Sequence, residues 1–83
     1  MQLYLLRPRE DILEKDENPW EPWYDKIFGF VIRAESEEMA RYLAAAQAGD
    51  EKHTSWLDDK LSGCDVLVAE GEPGLIIKDE RRA

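Results

Sequence analysis

Lys26-Ile27-Phe28-Gly29-Phe30-Val31-Ile32-Arg33-Ala34, followed at once by Glu35-Ser36-Glu37-Glu38, is the stretch on which the fold turns. On an extended chain Phe28, Phe30 and Ile32 line one side, and Ile27, Gly29 and Val31 line the other. Gly29 leaves a bare patch on that second side, which a ring from the preceding loop, Trp23 or Tyr24, could cover. The Ser36 hydroxyl can accept from a free helix N–H, and two acids in the first turn suit the positive helix end. The segment therefore predicts a strand over 26–34 that feeds a helix running through Ala48, with Gly49 as a left-handed stop. Met39, Leu43 and Ala46 form one stripe of that helix, flanked by Ala40 and Gln47. Its alanines make a smooth face that can lie close on a sheet. Glu37 and Arg41 are four apart, the spacing of a weak surface pair.

Working outward, Gln2 to Arg7 reads as a strand with apolar residues on both faces, as in a central strand, and Pro8 ends it. Downstream, 49–53 is a polar connection. Ser55-Trp56-Leu57-Asp58 has the spacing of a capped helix start, giving a short helical turn to Leu61 in which Trp56, with Leu57 or Leu61, plugs the core. Cys64 to Ala69 predicts a third strand. Glu72-Pro73-Gly74 has the residues of a type II turn, and Leu75-Ile76-Ile77 returns as a fourth strand before a solvated tail over 79–83. The expected architecture is α+β in the order β-β-α-β-β. It is a mostly antiparallel four-stranded sheet with one main helix on one face and a short helical turn, all within one domain over 1–83.

Eighty-three residues make one small domain, which hides only about 60–65% of the surface its unfolded chain exposes. With 43% hydrophobic residues and eight aromatics, two Phe, three Trp and three Tyr, the chain can fold without staples. Cys64 is the one cysteine, so no internal disulfide forms, which fits a reducing cytoplasm. No apolar run approaches the roughly 20 residues that span a bilayer. No basic segment precedes the first apolar run, so a secretory signal is not expected. The expected location is cytoplasmic, the host cytoplasm if the chain is phage-encoded.

Nineteen acids against eleven bases give a net charge of −8. Nucleic-acid binding depends on Lys and Arg replacing counterions, so direct DNA or RNA binding is not expected, and an anionic membrane surface repels the chain for the same reason. A basic protein is attracted instead. The same charge also serves plain solubility.

The segment 9–25 shows no useful helical or strand periodicity. From Glu10 to Asp25 it carries seven acids and one base, Lys15, for a local charge of −6, together with Trp20, Trp23 and Tyr24. Aromatic rings are common interface anchors, and carboxylates beside them select a Lys/Arg-rich surface. The candidate partner-binding residues are Glu14, Asp16, Glu17, Trp20, Glu21 and Trp23. The alternative is that the rings pack on the second face of the sheet while the acids solvate the loop.

No catalytic residues are expected. His53 is the sole histidine, and Ser55 and Asp58 near it lie in a polar connection and a helix start. Cys64 has no second cysteine or nearby histidine to activate it. One Cys and one His cannot supply a four-ligand zinc site, Asp16, Asn18 and Glu21 lack calcium-loop spacing, and no phosphate-cradling glycine loop is present. No cofactor and no metal are expected.

The set Met1-Gln2-Leu3-Tyr4-Leu5-Leu6-Arg7-Pro8, Trp23-Tyr24-Asp25, Phe28-Gly29-Phe30-Val31-Ile32-Arg33-Ala34-Glu35-Ser36-Glu37-Glu38, Trp56-Leu57-Asp58, one Cys and Gly71-Glu72-Pro73-Gly74 resembles a family of short bacterial and prophage-borne proteins. The likeness covers nearly the whole chain and implies a fold, not a reaction. In size and charge the chain is also generally similar to phage-encoded inhibitors of bacterial defence, including anti-CRISPR proteins, several of which occupy nucleic-acid-binding sites with acidic surfaces. That implies an inhibitor docked on a basic nucleic-acid-handling protein, such as a CRISPR effector subunit, acting as monomer or homodimer. The other expectation is a non-catalytic structural or accessory protein of a phage or bacterium that self-associates.

Overall fold

Apolar residues on both faces of β1 (Gln2–Pro8) place it in the middle of the sheet. The structure is a computed structural model and describes residues 1–67. Residues 10–13 form α1 (Glu10–Leu13), and the chain then returns as β2 (Phe30–Ala34), α2 (Glu37–Ala46), α3 (Thr54–Leu57) and β3 (Ser62–Leu67). The sheet order is β2-β1-β3 with both pairings antiparallel; Leu6 sits opposite Phe30 on one side and Cys64 on the other.

Three expectations are corrected here. The described residues make a small α+β fold of a three-stranded antiparallel sheet with three short helices, not a four-stranded sheet under one main helix. The Leu75–Ile77 strand, the Glu72-Pro73-Gly74 turn and the 79–83 tail fall outside the described residues. The 9–25 segment is also not wholly loop. Glu10 and Asp11 stand in the first turn of α1, and its Ile12 is buried, a single apolar anchor too short to register as periodicity. The second strand is Phe30–Ala34, shorter than 26–34; ahead of it the Ile27 N–H donates to the Glu51 carboxylate at 2.9 Å.

One face of the sheet carries the core. Tyr4 and Leu6 of β1, with Ala34 of β2, pack against Ala40 and Ala44 of α2 and the indole of Trp56. Trp56 stands edge-on to Phe30 (ring centroids 4.9 Å) and to Trp20 (5.5 Å), the favoured geometry for aromatic quadrupoles. Burying Leu6 completely contributes about 1.5–3 kcal/mol.

The helix α2 begins where its cap predicts, with the Ser36 hydroxyl accepting from the Met39 N–H at 3.2 Å. Its inward face differs from the expected stripe. Ala40, Arg41 and Ala44 are buried, while Met39 and Leu43 are 45% and 41% exposed. At 3.6 residues per turn the two sets are centred roughly 130° apart around the helix. The alanine side wins because it lets the helix axis approach the sheet closely while Trp56 fills the remaining space. Gly49 is likewise not a left-handed stop. A Cβ there would lie 2.6 Å from the Asp25 carbonyl oxygen, so the position demands the absence of a side chain rather than a special dihedral.

Candidate functional site

The stretch Asn18-Pro19-Trp20 turns the acidic segment into the core and back out. Asn18 is buried, its side-chain amide donates to the Lys15 carbonyl at 2.8 Å, and its Oδ1 accepts from the Trp20 N–H at 2.8 Å. Glu17 just before it takes φ 60°, a left-handed conformation that reverses the chain. Trp20 is thereby driven inward to 1% exposure, and its indole Nε1 donates to the Ile27 carbonyl at 2.8 Å. That bond closes the chain between 20 and 27 into an arch.

On the arch the Glu21–Pro22 peptide is cis, and residues 21–25 are all exposed. Trp23 is 52% and Tyr24 58% exposed, and their rings meet edge to face at 5.9 Å. The Lys26 ammonium lies 6.0 Å from the Tyr24 ring centroid. Asp25, at φ 60°, ends the arch, and its carbonyl accepts from the Asp50 N–H at 2.9 Å. Gly29 meets the Leu6 carbonyl and the Arg7 stem, so neither arch ring covers it.

Glu14, Asp16, Glu17, Glu21 and Trp23 thus stand in solvent as a docking residue must, with Tyr24 and Asp25 beside Trp23. Trp20 does not. It is corrected from a contact residue to the anchor of the arch, because its indole satisfies its N–H internally and packs on Trp56. The three aromatics were alike in sequence; the signal that separated them was Asn18, a residue able to accept from the N–H two positions on.

Two buried polar side chains hold this frame, and the sequence had placed both on the surface. Glu51 is 2% exposed. Its carboxylate accepts from the Ile27 N–H at 2.9 Å, the Gly49 N–H at 3.1 Å and the Trp56 indole at 2.7 Å. It joins the base of the arch, the end of α2 and the central tryptophan. Arg41 is 7% exposed and is far more than half of a surface pair. Its guanidinium donates to Glu37 at 2.9 Å, to the Trp56 carbonyl at 2.9 Å, and to both the hydroxyl and the carbonyl of Ser62 at 3.0 Å. The planar fork suits such a divided task. Charges are buried only with partners, and here the partners lie up to 24 residues away.

Of the remaining reactive groups, Ser55 and Asp58 take part in structural hydrogen bonds. The Ser55 hydroxyl is buried and donates to the Glu51 carbonyl, while Asp58 accepts from the Lys60 N–H at 2.8 Å and His53 is exposed. Cys64 is half-buried in β3, and burial, with Glu37 and Asp65 adding to it against Arg41, raises its thiol above the ordinary range. The Arg9 guanidinium, hydrogen-bonded to Asp11, lowers that carboxyl. Among the described residues no group of three or more His, Cys, Asp or Glu side chains is placed to hold a metal ion, and no helix is long and apolar enough to cross a membrane. Comparisons with protein-family models, curated proteins and solved structures give no match.

Proposed function

We propose that the chain is a non-catalytic protein-binding module that docks on a basic protein surface through the arch at 21–25 and the acidic turn before it. One observation carries this reading: an exposed Trp23–Tyr24 ring pair, on an arch closed at its base by the Trp20–Ile27 bond, belongs to a segment whose acids Glu14, Asp16, Glu17, Glu21 and Asp25 are all exposed. Rings held in place lose little entropy on docking, and surrounding carboxylates steer and select a Lys/Arg-rich partner. A groove that handles nucleic acid has that chemistry, which makes inhibition by occupying such a groove the natural form of the activity.

The test is capture of proteins from host lysate at low and high salt, repeated with Trp23→Ala and with charge reversal at Glu14, Glu17 and Glu21. The expected result is a basic partner that is lost at high salt and lost by both variants, and whose nucleic acid the wild-type chain displaces. A partner retained by both variants rules the arch out.

A further inference from the structure

The most apolar side of α2 faces away from the sheet. Tyr42 is 70% exposed, beside Met39 at 45%, and Leu57, the last residue of α3, is 46% exposed. Together with Ser36 and Glu38 these residues line an open groove of about 380 Å³. Glu38 and Leu57 also line an adjoining hollow of about 500 Å³ whose other walls include Glu37, Asp58 and Asp59. The two form one continuous surface, an apolar floor edged by four carboxylates. Among the described residues the only cation lining it is Arg41, whose guanidinium is committed to Glu37, Trp56 and Ser62. Arg9 reaches the Asp59 carbonyl at 3.4 Å, but its charge is matched by Asp11. No residue of the arch lines either hollow.

We infer that this groove is a second docking site, independent of the arch, and that it takes a cationic amphipathic helix of a protein partner. Large apolar side chains directed outward at Met39, Tyr42 and Leu57 call for apolar anchors at helical spacing. The acidic rim calls for Lys or Arg flanking those anchors. The rim also argues against a second copy. A two-fold contact sets the same patch against itself, so this acidic patch would be brought against an equally acidic one in a chain of net charge −8. An anionic lipid surface is repelled by the same carboxylates.

The test uses the full chain and a short capped peptide of Leu and Lys at amphipathic helical spacing. Its controls are the same peptide with Glu for Lys and a scrambled Leu/Lys sequence. Amide chemical shifts locate binding and calorimetry measures it. The Leu/Lys peptide is expected to move the signals of Met39, Tyr42 and Leu57, and the controls are expected to bind at least tenfold more weakly. Tyr42→Ser and Leu57→Ser, both at exposed positions that leave the core intact, should each weaken binding roughly tenfold or more. Glu38→Lys with Asp59→Lys should transfer preference to the Leu/Glu peptide. Trp23→Ala should bind the Leu/Lys peptide as wild type does, which separates this groove from the arch. Shifts spread over all acidic surfaces, equal binding of the scrambled peptide, or a wild-type dimer dissolved by Tyr42→Ser would each overturn the inference.

Discussion

Replacing Glu51 by Gln changes the side chain by one oxygen-to-amide exchange and nothing in its shape. In the native frame both carboxylate oxygens accept, from Ile27 and Gly49 on one side and from Gly49 and Trp56 on the other. A Gln amide can offer only one acceptor oxygen. If it keeps the Ile27 bond, its NH2 confronts the Trp56 indole N–H across the 2.7 Å gap; turned over, it confronts Ile27 across 2.9 Å. Leaving one buried donor unsatisfied costs about 1–3 kcal/mol, and the surviving bonds lose their charge assistance, so the total is about 3 kcal/mol. For a domain of this size that corresponds to a fall in Tm of roughly 12–24 °C. Thermal unfolding of wild type and Glu51→Gln, followed by circular dichroism and Trp fluorescence, measures it directly. A variant melting within a few degrees of wild type would refute the assignment of Glu51 as an obligatory acceptor hub. Because the same carboxylate holds Ile27, Glu51→Gln should also loosen the arch and raise acrylamide quenching of Trp20, a ring otherwise shielded at 1% exposure.

Two further outcomes follow from the buried groups. Arg41→Lys cannot reach Glu37, the Trp56 carbonyl and Ser62 together, and should lose about 2–3 kcal/mol in urea unfolding, whereas Glu37→Gln, with a half-exposed side chain, should lose under about 1 kcal/mol; equal losses would show that the ion pair, and not the carbonyl contacts, matters. The Cys64 thiol, raised by burial, should react with a disulfide reagent more slowly in the folded chain than in the urea-unfolded chain at mildly alkaline pH. The sign is that of a group holding its proton longer when folded. Its contribution is complete below the unfolded pKa and disappears as pH climbs through the folded one, and equal rates in both states would contradict it.

Local chemistry was readable from the residues alone. Ser36 with Glu37 and Glu38 marks the start of α2 because a cap depends only on the four residues that follow it. The central place of β1 was legible because burial on both faces writes apolar residues at consecutive positions, and the outward acids of 14–21 were legible because single carboxylates stay in water. What the tertiary structure decided were the choices among local equals. Helix α2 offers two usable faces, and only the close approach permitted by Ala40 and Ala44, with Trp56 beside them, selects one and leaves Met39 and Tyr42 outside. Trp20, Trp23 and Tyr24 have similar appetites for burial, and the inward turn at Asn18 admits just the first. Glu51 and Arg41 look like surface charges in any window of sequence, since the donors and acceptors that make their burial tolerable come from Ile27, Trp56 and Ser62, which only the folded chain brings within reach.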